Sequence, residues 1–185
     1  MGEELLFALW FIQPAGWANG VPVLANNVPG LKNWELPMDF GKTFRGHRVL
    51  GSHKTFRGLT TAVFAGLLIG CVQMIIARAN PDAAIFSRGV DYTTWTAIWL
   101  GGAMGLGAIV GDALKSFFKR QIGVRPGSAW VPFDQMDFVV GSLLFSLPFA
   151  SLDFATYALC AVVMTVLHPV VNIIGWLLRL KKNPF

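Results

Sequence analysis

Uncharged apolar runs of near-membrane length alternate along this chain with polar stretches rich in glycine and basic residues. Residues 59–77 carry no charged side chain and match the ~20 residues that a helix needs to cross a bilayer. Residues 95–110 are equally uncharged and continue as a polar-faced helix towards Phe118. Within them Gly101 and Gly105, with neighbouring Gly102 and Gly107, supply the small-residue spacing that lets helices approach closely in lipid. Residues 154–178 are long enough to cross with tilt. Residues 138–152 are fewer and contain Pro148, which predicts a short or bent span. Residues 5–12 are apolar, but Gln13, Pro14, Gly16, Asn19, Gly20 and Pro22 interrupt the run beyond Ile12. That pattern predicts an irregular first span whose polar positions face protein or water. Glu3 and Glu4 stand where a cleaved leader would be basic, which argues against a signal peptide. The expectation is an all-α integral membrane protein of about five spans, a single domain over residues 1–185, with two large basic cytoplasmic loops.

Composition agrees with the pattern. Apolar residues make up 54% of the chain and charged ones 14%, against roughly 25% charge in soluble domains. The sequence pI is near 9.6, yet too few charges remain for the basic stripe of a nucleic-acid-binding surface. The excess is a topological signal. Lys32, Lys42, Arg45, Arg48, Lys54 and Arg57 lie between the first and second spans; Lys115, Lys119, Arg120 and Arg125 follow the third; Arg179, Lys181 and Lys182 close the chain. Only Arg78 and Arg88 fall on the other side. The bias puts both large loops and the C-terminus in the cytoplasm, and the N-terminus outside if the first segment crosses. Cys71 and Cys160 sit in apolar runs, and no Cys/His cluster suggests zinc or a disulfide framework.

Two polar stretches carry the candidate chemistry. The second reads GDALKSFFKRQIGVRPGSAWVPFDQMD, residues 111–137. On a helix, Asp112, Lys115, Ser116 and Lys119 fall at i, i+3, i+4 and i+7, on one face. The run breaks at Gly123, Pro126 and Gly127, and Asp134 and Asp137 come after Pro132. A carboxylate at the edge of an apolar span is costly and usually functional. Magnesium takes one or two carboxylates plus substrate phosphates, so Asp112 and Asp134 are the candidate metal ligands. Asp137 either joins them or caps a helix starting near Phe138. The first stretch contains KTFRG twice, at residues 42–46 and 54–58. Gly41-Lys42-Thr43 is not a nucleotide P-loop, because Leu36 stands where the motif needs its first glycine. Its lysines and arginines suit phosphate oxygens or anionic headgroups. His47 and His53 lie among them, and His168 and Asn172 fall in the last span.

Together, DFGKTFRGHR…GSHKTFRG and GDALKSFFKR…GVRPGSAWVPFDQMD resemble the archaeal CDP-archaeol synthase family, related to the CDP-diacylglycerol synthases. The likeness covers nearly the whole chain. Pro126-Gly127 and the Asp134-x-x-Asp137 pair match the wider group's signature, whereas Ser128-Ala129-Trp130 replaces its His-Gly-Gly. The resemblance implies a magnesium-dependent transfer of cytidylate from CTP to a digeranylgeranyl glyceryl phosphate, releasing pyrophosphate, on the cytoplasmic side of the cell membrane. It implies metal binding by Asp112 and Asp134, with Asp137 beside them. Lys42, Thr43, Arg45, Arg48, Lys54, Pro126 and Gly127 would hold the nucleotide or lipid phosphate, and Lys115, Lys119 and Arg120 would stabilise developing charge. The alternatives are an ester-lipid cytidylyltransferase and a transporter of an anionic solute. Charge gathered in two loops at one surface disfavours transport.

Overall fold

The computed structural model describes residues 2–124, 130 and 133–177, with backbone only at 81, 84 and 85. Its elements are α1 (Gly2–Phe11), α2 (Gln13–Ala25), β1 (Thr43–Phe44), β2 (His47–Arg48), α3 (Phe56–Ala79), a 3-10 turn (Pro81–Phe86), α4 (Thr96–Gln121), α5 (Phe133–Ser146) and α6 (Phe154–Leu177).

Helix α4 is the hub and touches α2, α3 and α5. Its glycines are the reason. A methyl group at Gly101 would collide with the carbonyl of Gly66 on α3, and one at Gly111 with the carbonyl of Asp137 on α5. Gly107 and Gly141 face each other in the same way. Residues 101 and 105 differ from 107 and 111 by six positions, so at 100° per residue they form two separate faces. Helices in lipid associate through such backbone approach, and α4 carries a seam for each neighbour. Phe7, Phe11, Leu100 and Met104 fill the interior, and Phe11 meets Tyr157 edge-on at 6.4 Å, tying α1 to α6.

The ends of the bundle differ in character. At one end Arg88 approaches Glu3 at 3.7 Å and Glu4 at 3.9 Å, and the Ser151 N–H donates to the Gly89 carbonyl at 2.8 Å. At the other end Arg57, at the start of α3, donates to Asn26, just after α2. The first segment therefore runs the full depth of α3.

Three helices, α3, α4 and α6, are long and apolar enough to cross a membrane. The expected five spans are not all matched by single long helices among the described residues. The first segment is more regular than its prolines and glycines suggested. Only Ile12 separates α1 from α2, and the bonds from Ile12 N–H to Ala8 O and from Gly16 N–H to Ile12 O bridge the junction. Pro14 falls at the start of α2, where its missing N–H costs nothing. Helix α5 begins at Phe133, five residues before the expected start, and turns at 147–149. The fold is also not wholly helical. Arg45 and Gly46 both take positive φ, 51° and 79°, giving the two-residue turn that joins antiparallel β1 and β2.

Candidate active site

The loop between α2 and α3 is built around Asp39, a buried residue that neither charge clustering nor helical spacing singles out. Its carboxylate accepts from Arg48 Nη2 at 2.7 Å and Nε at 3.3 Å. It also accepts from the backbone N–H groups of Gly41, Leu50 and Gly51 at 3.0–3.1 Å. Burial pushes this carboxyl up, but the Arg48 guanidinium and the three N–H groups outweigh it and hold it well below the usual carboxylate range. The available signal was an Asp before Phe-Gly, where an Asp side chain bonds its own turn.

The loop returns as a strap along its own start. Met38 N–H donates to the Lys54 carbonyl at 2.7 Å, and Phe56 N–H to the Leu36 carbonyl at 3.0 Å. Thr55 then caps α3, its hydroxyl accepting from Gly58 N–H at 3.2 Å. The two KTFRG copies thus do different work. The first forms the hairpin. The second starts a helix, with Arg57 buried and bonded to the carbonyls of Leu31 and Lys32 at 3.2 and 2.9 Å. Lys54, fixed one residue before the cap, reaches across to Asp112 on α4.

There the charges converge. Lys115 Nζ lies 3.1 Å from Asp112 Oδ1, 3.0 Å from Asp134 Oδ1 and 2.5 Å from Asp137 Oδ2. Lys119 Nζ spans both Asp134 oxygens at 3.1 Å, and Asp134 Oδ2 also accepts from Trp130 N–H at 2.5 Å. Asp137 accepts from Phe138 N–H at 2.7 Å. The α4–α5 seam makes this possible, because Gly111 lets the backbone of Asp137 lie against α4. Three ammonium groups face three carboxylates, so the cluster balances its own charge. Its side chains are mostly covered; Asp137 is 6% exposed and Lys119 is 9%.

Of the sequence-derived candidates, Asp112, Lys115, Lys119, Asp134, Asp137 and Lys54 come together. Asp137 is not a helix cap at Phe138, since α5 has already begun at Phe133. Lys42, Thr43 and Arg45 are exposed on the hairpin, Arg45 stacking on Phe44 with 5.4 Å to the ring centroid. Arg48 is tied to Asp39, and Arg120 is one residue round α4 from the cluster face. Pro126 and Gly127, with Arg125, Ser128 and the basic residues 179, 181 and 182, lie outside the described residues. Among the described residues no three His, Cys, Asp or Glu side chains form a ready metal cage. A lysine stands where the three acids meet.

All 185 residues match the family model described as CarS-like, CDP-archaeol synthase. The chain is 41% identical over 169 residues to the CDP-archaeol synthase of Methanospirillum hungatei, covering 88% of this chain and 97% of that protein. It is 36% identical over 172 residues to that of Methanosarcina mazei, again 88% and 97%. With that of Pyrococcus furiosus it shares 32% over 184 residues, 99% of each. The fold is similar to a solved intramembrane enzyme for archaeal membrane lipid biosynthesis, with a TM-score of 0.72 at 27% identity over 91% of this chain and 94% of that one.

Proposed function

The chain belongs to the CDP-archaeol synthase family, the membrane cytidylyltransferases that make CDP-archaeol, and we propose that the cluster around Lys115 is where it joins CTP to a lipid phosphate. The observation that carries this reading is the meeting of Asp112, Asp134 and Asp137 on one ammonium ion, with Lys54 paired to Asp112 and Lys119 to Asp134 beside it.

The donor chemistry fits magnesium. Carboxylate oxygens from two helices surround one cation-sized point, and magnesium needs only one or two of them when phosphates and water complete its shell. Asp112 and Asp134 would hold it, with Asp137 beside them. When bound, the ion would neutralise phosphate charge. The chain's own residues do the remainder. Lys54, Lys115 and Lys119 exchange carboxylate partners for phosphate oxygens as the anion enters, so no buried charge is left alone. Two anionic reactants repel each other, and these ammonium groups hold them close enough for in-line attack. The lipid phosphate oxygen forms the new bond to the α-phosphorus of CTP, and the bond to the β-phosphate oxygen breaks, releasing pyrophosphate. No nucleophilic side chain is needed, and the lipid arrives sideways from the bilayer.

In the cell membrane, the reading has five crossings, with α1–α2 as the first and α5 as the fourth. The N-terminus is outside and the basic end of the bundle, including the cluster, is cytoplasmic. The test is CTP- and magnesium-dependent product formation by purified Asp112→Asn and Asp134→Asn proteins. Each is expected to lose activity by at least about a hundredfold while inserting and eluting like the parent. Near-parental turnover in either removes that residue from the metal site, and incorporation from ATP as readily as from CTP refutes the nucleotide assignment.

A further inference from the structure

The first KTFRG copy takes no part in the cluster around Lys115, and its side chains turn outward. Phe44, at the end of β1, is 47% exposed, and Phe40, in the turn before it, is 60% exposed. Phe40 holds its place with φ at 49°, a conformation that a bulky side chain rarely takes. Lys42, Thr43 and Arg45 are exposed between and beside these rings. Scattered apolar residues on a surface are ordinary; here two rings alternate with two cations on one short hairpin.

The position of the hairpin on α4 shows what it faces. An open hollow of about 490 Å³ separates the two, lined by Phe44, Arg45, His47, Phe117, Phe118 and Gln121. Phe44 and Phe117 meet there, with ring centroids 6.0 Å apart. Trp99 and Phe117 are 18 residues apart, about five turns and about 27 Å along the axis, so they share a face of α4. Trp99 is exposed on a helix apolar enough to cross a membrane, and exposed Trp residues of such helices gather at the membrane–water interface. The hydrocarbon core is about 30 Å thick, so Phe117 and the hairpin above it fall at the opposite interface. Lys115 lies about 200° round the helix from Phe117. The hollow therefore faces away from the acids, and the hairpin's cations address a different anion from the one that meets Lys115.

We propose that the β1–β2 hairpin docks on the anionic lipid surface of the bilayer that α4 crosses, with Phe44 at the acyl boundary and Lys42 and Arg45 on headgroup phosphates. Anionic headgroups attract basic side chains, the planar Arg45 fork suits phosphate oxygens, and aromatic rings settle beneath them. The docking bears on the catalytic end through the backbone. Val49 N–H donates to the Lys42 carbonyl at 3.0 Å, and Arg48 of β2 is held by Asp39, so the hairpin and the approach to Lys54 belong to one framework. The proposal requires α4 to span the membrane but not that the cluster performs cytidylate transfer, so the two readings stand or fall separately.

The test puts a bimane fluorophore on Thr43→Cys in the full-length protein, with Cys71 and Cys160 replaced by alanine. The protein is reconstituted in phosphatidylcholine vesicles, with and without phosphatidylglycerol, that carry a nitroxide on a fraction of the headgroups. Quenching should be strong with phosphatidylglycerol, weak without it, and relieved by salt. Lys42→Ala and Arg45→Ala should each lower the docked-to-undocked ratio about fivefold, the worth of one basic residue at an anionic surface. Phe44→Ser should lower it as well, whereas Phe44→Trp, which keeps an interfacial ring, should retain it. Equal quenching in both lipids, or none in either, overturns the proposal. Quenching relieved by CTP with magnesium also overturns it, because the hairpin would then be holding nucleotide.

Discussion

Asp39 shows how a single residue sets the conditions for the site without touching it. Its five accepted bonds fix the turn at Gly41, the strand end at Arg48 and the backbone at Leu50 and Gly51, and from there the chain is delivered to Lys54. Because its carboxyl titrates below the ~3.9 of an unfolded chain, it contributes stability that is complete above that pH. That stability is lost as pH falls, when the unfolded loop takes up a proton that the folded loop resists. Protection factors for hydrogen exchange of residues 36–55, taken against intrinsic rates at each pH, should therefore be flat between about pH 7 and pH 5 and fall below about pH 4. Asp39→Asn should show low protection throughout, with no further acid step, because a neutral amide no longer holds Arg48 and the three N–H groups as the carboxylate does. A loop equally protected in both proteins would show that the contacts around Asp39 do not hold it. Residues such as Asp112, Lys115 and Lys119 were legible in the sequence because helical spacing alone puts them on one face. Asp39 was not, since its role depends on two positive-φ turns, at Phe40–Gly41 and Arg45–Gly46, that no periodicity announces.

Among the elements, the α4–α5 pair decides whether the acids meet. The glycine spacing in α4 was readable, and it foretold close packing. Its division into two seams was not, because it depends on which neighbour each face meets. The start of α5 was misplaced for a related reason: Asp134 and Asp137 make its first turn read as loop, although Pro132 just before it is a helix-start signal. The seam can be tested directly. Alanine at Gly141 puts a methyl group against the carbonyl of Gly107 and should push α5 away, taking Asp134 and Asp137 from Lys115. The expected loss is about 2 kcal/mol from overpacking, read as thermal unfolding in detergent, together with a fall in cytidylate transfer. Val140→Ala, one position along on an exposed face, should change stability by less than about 0.5 kcal/mol. If the two variants behave alike, backbone contact at the seam is not what holds the helices.

At the scale of the whole molecule, the charge count and the structure group the same two segments. The positive-inside count groups the loop before α3 with the end of α4. The structure brings those segments to one end through Lys54 and Asp112, and gathers Glu3, Glu4, Arg88, Gly89 and Ser151 at the other. The first segment is the discriminating element. Its length was obscured by Pro14 and Pro22, but its two ends lie beside opposite ends of α3, and the proposed five crossings depend on it. Single cysteines placed at His53, Phe154 and Glu3, in a background with Cys71 and Cys160 replaced by alanine, make this measurable. All three positions are exposed. A membrane-impermeant maleimide should modify the residue-53 cysteine only in inside-out vesicles, and those at 154 and 3 only in right-side-out vesicles. Labelling of residue 3 on the same face as residue 53 would mean that α1–α2 does not span, and the Arg88 contacts with Glu3 and Glu4 would have to be abandoned. Labelling of 53 and 154 from one face would mean that α5 does not cross, and the five-crossing reading would fall.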